Sequence, residues 1–228
     1  MAEERFDPEK TTTKNFERVT PNLVDAAARF PSSTLHEAAG KIGALDSAIK
    51  PVDPSFRACG PAITVHSPPG DNLWVHRAIY AARPGDVLVV YVSGKYEYGY
   101  WGEIMSTAAK VRGLAGMVID GCVRDGELLK TIGFPIFARG LCIRGTGKDF
   151  GARGWINAPT LFGDVTVSAG DLVLADTDGV VAVPRLQAAA AVEAAAKREA
   201  HEQQILKRLQ AGEATLDIYG WRSPPANG

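Results

Sequence analysis

The residues able to do chemistry crowd into one stretch, Trp101 to Asp125, WGEIMSTAAKVRGLAGMVIDGCVRD. Gly102-Glu103 opens a helical pattern over residues 103–112 that stops at Gly113. An apolar segment, Gly116 to Asp120, follows and gives way to Asp120-Gly121-x-x-Arg124-Asp125. A strand–helix–strand connection brings the start of the helix and the loop after the strand to the same end of a sheet. Helix starts offer free N–H groups to anionic oxygens. The backbone amides of Gly102, Glu103, Ile104 and Met105 can therefore hold a small carboxylate or an enolate oxygen. Arg124 offers a planar fork for a carboxylate. Asp125 and Glu103 offer hard oxygen ligands to Mg²⁺ or Mn²⁺, directly or through water. A plainer reading stands beside this one: Arg124 and Asp125 form a surface ion pair, and Asp120-Gly121 is only a turn.

Other chemistry is weakly signalled. Cys59, Cys122 and Cys142 are an odd count without a CxxC pair, which suits reduced, mostly buried thiols and neither a disulfide framework nor a zinc ribbon. His36, His66, His76 and His201 lack metal-site spacing and read as packing or surface residues. No GxGxxG follows a strand, and Gly147-Lys148 precedes Asp149 rather than Ser or Thr, so no phosphate loop is expected.

The elements that must position these groups alternate. Helices are expected at 22–29, 32–40, 71–82, 103–112 and 127–132, with Thr34 and Glu37 at capping-box spacing and Asp71 as a cap. Strands are expected at 60–66, 87–92, 116–120 and 134–138, then at 158–162, 165–167, 172–175 and 180–183. Residues 140–157 read as a glycine-rich loop. PGDVLVV and AGDLVLA share a Gly-Asp turn entering a buried strand, which is similar turn chemistry rather than duplication. Pro184 starts a long alanine-rich helix that ends at Gly212, and a loose tail follows from Trp221. The pattern predicts a layered α/β fold. It divides into one catalytic domain, 1–183 with an N-terminal helical segment, and a helix and tail, 184–228, packed at a subunit interface.

Composition bounds the function. The chain has 228 residues, 22% charged and 46% hydrophobic, which suits one globular domain with a helical arm. Lys+Arg is 25 against Asp+Glu 26, so no broad basic field for nucleic acid or an anionic membrane is expected. No apolar run approaches the ~20 residues that cross a bilayer. The polar, acid-led start is unlike a signal peptide, so the expected location is the cytoplasm.

The pattern GExxxxxAxxxGxxGxVxDGxxRD is met by Gly102, Glu103, Ala109, Gly113, Gly116, Val118, Asp120, Gly121, Arg124 and Asp125. It resembles the signature of class II pyruvate aldolases acting on 4-hydroxy-4-methyl-2-oxoglutarate and 4-carboxy-4-hydroxy-2-oxoadipate. These share a fold with the regulator of ribonuclease activity A. The likeness extends to TLHEAAG, the PGDNLWVHRAI-like helix entry, PGDVLVV, FPIFARG and GDLVLADTDGVVAVP before a long helix. It implies a layered β/β/α, swivelling-domain-like core and a trimer or hexamer with sites between subunits. It implies Asp125 on a divalent metal, Arg124 on pyruvate, residues 102–105 giving amides to substrate, and Glu103 holding a metal water. An acid from the neighbouring subunit's C-terminal helix joins that water shell; Glu193, Glu199 and Glu202 are candidates, and Glu199 is the choice.

The implied reaction is C3–C4 cleavage of a 4-hydroxy-2-oxo acid, with a water positioned by Glu103 as base. Pyruvate enolate forms without a Schiff-base lysine, so Lys95 and Lys110 read as solvated surface residues. Oxaloacetate decarboxylation reaches the same enolate. The implied setting is bacterial aromatic catabolism. Arg77, Arg139, Arg144 and Lys148 are candidates, by charge alone, for the distal substrate carboxylates. The alternative is a non-catalytic ribonuclease-binding regulator of the same fold.

Overall fold

The computed structural model describes residues 7–222. The strands are β1 (Lys50–Pro51), β2 (Ala58–His66), β3 (Val87–Tyr91), β4 (Gly116–Asp120), β5 (Cys122–Val123), β6 (Ile136–Ala138), β7 (Gly140–Leu141), β8 (Trp155–Ile156), β9 (Thr160–Phe162), β10 (Val165–Val167), β11 (Leu172–Ala175) and β12 (Val180–Val183). The helices are α1 (Pro21–Ala27), α2 (Ser32–Ala38), α3 (Leu73–Ala81), α4 (Glu103–Val111), α5 (Gly126–Ile132), α6 (Arg185–Gln210) and α7 (Thr215–Ile218), with a 3-10 turn at Pro8–Thr11.

The main sheet runs β1-β6-β4-β3-β2-β11-β12, and β8 also pairs with β2. β2, β3, β4 and β6 are mutually parallel, which requires crossover connections, and α3, α4 and α5 supply them. The unbroken apolar runs are buried on both faces, as crossover-covered strands must be. β11 shows the layering: Leu172 and Leu174 pack with α1, α2 and α6, whereas Val173 and Ala175 belong to the main core. The fold is the expected mixed α/β arrangement with a long C-terminal helix.

The two Gly-Asp turns are the same device used twice. Gly85 (φ +87°) and Gly170 (φ +89°) take the left-handed conformation that favours glycine. The buried aspartate after each accepts from the amide three residues back, Arg83 N to Asp86 Oδ2 at 2.8 Å and Ser168 N to Asp171 Oδ2 at 2.8 Å.

Several local expectations are corrected. α2 starts at Ser32, so Thr34 lies inside it and no capping box forms. β6 begins after Pro135, which has no N–H to donate to a ladder, and Phe134 stacks on Trp101 instead. The stretch 140–157 is not all loop, because β7 pairs with β5 and β8 with β2. The tail is held where it begins: Trp221 stacks on Tyr219, and Arg222 pairs with Asp217. Residues 223–228, like 1–6, lie outside the described residues.

Candidate active site

The site is built where β3 and β4 end side by side, with Tyr91 opposite Asp120. The segment after β3 returns through Gly99–Gly102 into α4, and the segment after β4 passes through Arg124 and Asp125 into α5. Several hydrogen bonds pin these segments together, two of them at the start of α4 and the Arg124-Asp125 pair. Arg124 N donates to Trp101 O at 2.8 Å, and Glu103 N donates to Asp125 Oδ2 at 3.1 Å. Gly102 is extended (φ −159°), so its need for glycine is spatial. A Cβ there would lie 2.3 Å from Asp125 Oδ2 and 3.2 Å from Arg124 Cγ.

Asp125 is left-handed (φ 63°, ψ 36°), a conformation that few side chains tolerate, aspartate among them. Its carbonyl accepts the Leu129 amide at 3.0 Å and so starts α5. Backbone strain of this kind, typically about 1–3 kcal/mol, concentrates at sites that require a fixed side-chain direction. Arg124 Nε lies 3.7 Å from Asp125 Oδ2, and the two side chains remain 49% and 34% exposed. The pair faces a cavity of about 350 Å³ rather than lying flat on the surface.

Residues 99–105, Arg124 and Asp125 form one side of that cavity. Of the four amides expected to meet substrate, Glu103's is occupied by Asp125, which leaves those of Gly102, Ile104 and Met105. The Glu103 and Ile104 side chains are exposed, whereas Met105 is buried. The rest of the lining includes Asn72, His76, Thr146 and Lys148. Asp71 joins those distant segments: its Oδ1 accepts from Leu73 N at 2.8 Å and its Oδ2 from Asp149 N at 2.6 Å. Burial first, and Lys148 second, push the His76 pKa below the ordinary histidine value, so the ring is neutral near pH 7. Asn72 is buried; its Nδ2 donates to Tyr100 O at 2.8 Å, and its Oδ1 has no partner among the described residues.

Of the four cations nominated by charge, Lys148 alone lines this cavity. Arg139 is committed to Asp120 (2.5 Å) and Asp46 (2.7 Å). Arg144 lies over Tyr98, and Arg77 over Trp74 beside a different cavity. Lys110 is exposed, as a surface lysine should be, and it also donates to the Ile132 carbonyl at the end of α5. His76 and Asn72 were given no role, although both lie in PGDNLWVHRAI, a stretch that shares the family likeness; Asn72 caps α3 and His76 follows one turn later.

The three cysteines are free and half-buried, and burial pushes the Cys59 thiol up to about 12. On α6, Glu193 pairs with Lys197 and Glu202 with Arg198. Glu199 is exposed and forms no ion pair among the described residues. No group of three or more His, Cys, Asp or Glu able to hold a metal occurs among the described residues. The cavity instead offers Asp125 and Glu103, a hard-oxygen pair, while the unpartnered Asn72 oxygen is buried in its wall. That donor set fits Mg²⁺, which is commonly held by one or two carboxylates and keeps several waters.

Comparison with known proteins settles the lineage. The family described as RraA-like, Aldolase/RraA, matches residues 20–182. The chain belongs to this RraA-like family. A relative from Halalkalibacterium halodurans, provisionally named a 4-hydroxy-4-methyl-2-oxoglutarate aldolase, is 37% identical over 82% of this chain and 90% of its own. A crystal structure of an uncharacterised protein from Pseudomonas syringae superposes with a TM-score of 0.77 at 28% identity, covering 88% of this chain and 93% of that one. Streptomyces coelicolor RraAS2, described as an unusual member of the RNase ES inhibitor family RraA, gives a TM-score of 0.74 at 30% identity, covering 84% and 100%. The RraA-like family thus includes both relatives named as aldolases and relatives described as ribonuclease inhibitors.

Proposed function

We propose that the protein is a divalent-metal-dependent aldolase for 4-hydroxy-2-oxo acids. It cleaves 4-hydroxy-4-methyl-2-oxoglutarate to two pyruvates, or 4-carboxy-4-hydroxy-2-oxoadipate to pyruvate and oxaloacetate, and secondarily decarboxylates oxaloacetate. The observation that carries this reading is the convergence of Arg124, Asp125 and the start of α4 on one cavity. A ribonuclease-binding surface has no need of that strained, pinned arrangement.

Arg124 binds the C1 carboxylate through its fork. The Ile104 and Met105 amides face the developing enolate oxygen as fixed donors. Asp125, with Glu103 through water, would hold Mg²⁺ or Mn²⁺, which when bound supplies Lewis-acid stabilisation of the enolate. Glu103 positions the water that takes the C4 hydroxyl proton. The C3–C4 bond then breaks, its electron pair enters the enolate, and protonation at C3 gives pyruvate. Lys148 adds positive charge on the far side of the cavity. The neutral His76 beside it adds none, so the anionic substrate meets two cations.

Glu199 of a neighbouring subunit completes the water shell in a trimer or hexamer. Support for assembly comes from Ile104 (76% exposed) and Ile143 (96% exposed), which stand beside Arg124 and Asp125. The test is pyruvate release from each aldol and from oxaloacetate, compared as kcat/KM. Turnover of an aldol, lost in Asp125→Asn, supports the proposal. Inert protein that instead binds a ribonuclease at stoichiometric concentration favours the regulator.

A further inference from the structure

α3 borders a second cavity, of about 600 Å³, which the proposed reaction leaves unused. It lies between the N-terminal segment 8–18 and the later part of α3. Two of its cations are neutralised: Lys14 pairs with Glu9, and Arg18 with Asp86 at 2.8 Å. The other two, Arg77 and Arg83, form no ion pair among the described residues. Arg77 is braced over Trp74, 4.7 Å from the ring centroid, and its Nη1 is buried without a hydrogen-bond partner.

Asn157 completes the wall. It is 7% exposed, and its Nδ2 donates to Thr13 O at 2.9 Å. That bond fixes the amide orientation and leaves Oδ1 buried and unpartnered. Both residues line this one cavity, so its wall holds an unsatisfied cationic donor and an unsatisfied neutral acceptor, each covered by its neighbours and reached by a ligand as the side chain turns. Buried polar groups are nearly always paired, so such a couple points to a ligand with complementary groups. A bare anion would satisfy the arginine and repel the amide oxygen.

We propose that this cavity is a binding site for a small hydroxycarboxylate. The carboxylate sits on Arg77 and Arg83, the hydroxyl donates to Asn157 Oδ1, and the carbon skeleton rests against Phe16 and Tyr80. The site does not depend on the aldolase reading, because it shares no lining residue with the first cavity.

Calorimetric titration of the chelator-treated full-length protein tests it, with lactate, L-malate and citrate as probes and propionate as a carboxylate lacking the hydroxyl. The expected result is saturable binding of at least one hydroxy acid, one per chain, with propionate at least tenfold weaker. Affinity falls at least tenfold in Arg77→Gln and in Arg83→Gln and is unchanged in Arg124→Met. Arg83 is exposed, so its variant keeps the test informative should Arg77→Gln fail to fold. Four results overturn the proposal: no saturable binding of any hydroxy acid, propionate binding equally well, affinity surviving both arginine variants, or affinity lost in Arg124→Met.

Discussion

A methyl group at Gly102 would press on Asp125 Oδ2 at 2.3 Å, closer than any real carbon contact. Gly102→Ala should therefore displace the carboxylate while leaving the fold intact, because Gly102 is extended and alanine adopts that conformation freely. The expected fall in kcat is about 100-fold, the scale of an ångström-level misplacement. Steady-state kinetics with circular dichroism check it, and normal turnover would show that Asp125 need not sit where it does. Arg124→Lys keeps the charge and loses the fork; kcat should drop by roughly 10²–10³-fold. These residues were legible in sequence because Gly-Glu and Arg-Asp are dense local signals. His76 and Asn72 received no role, and Lys148 was one of four candidates nominated by charge alone, since only the fold assembles the three from two distant segments.

α2 shows how an element can depend on a partner far away in sequence. Its first residue, Ser32, gives its amide (2.7 Å) and hydroxyl (2.6 Å) to Asp176, across a separation of 144 residues. No local pattern encodes that cap, so the nearby Thr34–Glu37 spacing was misleading. Burial pushes the Asp176 pKa upward, but hydrogen bonds from Ser32 and Asp178 and the charge of Arg57 outweigh it and leave the pKa below the usual aspartate value. A depressed folded pKa stabilises the protein above the unfolded value, and that contribution is lost as pH falls through the folded one. Asp176→Asn should lower stability by about 1–3 kcal/mol at pH 7 and flatten the acid limb of the stability profile. Urea melts from pH 7 to pH 3 test this; a midpoint equal to wild type at every pH would contradict it. Strands with continuous apolar runs, such as β3, β4, β11 and β12, were placed within a residue because burial on both faces leaves a plain pattern. The brief pairings of β7 and β8 carry none.

At the scale of the whole molecule, α/β alternation, the Gly-Asp turns and the long final helix were readable, because each is a local consequence of composition. Sheet order was not readable, since β11 and β12 join the edge of β2 by non-local pairing. Three of the exposed apolar groups stand beside the site: Ile104, Leu141 (62% exposed) and Ile143. A site completed by a neighbour predicts that Ile143→Asp dissociates the assembly and lowers activity in parallel. Light scattering and kinetics on the same samples check it. A monomer with full activity would show that the chain needs no neighbour.

The most direct measurement is pyruvate release from 4-hydroxy-4-methyl-2-oxoglutarate after exhaustive dialysis against a chelator, followed by titration with Mg²⁺. The predicted result is loss of activity on dialysis and saturable recovery with the cation, with Asp125→Asn failing to recover in the same range. Undiminished turnover in the chelated protein would contradict a cation-dependent site at Arg124 and Asp125.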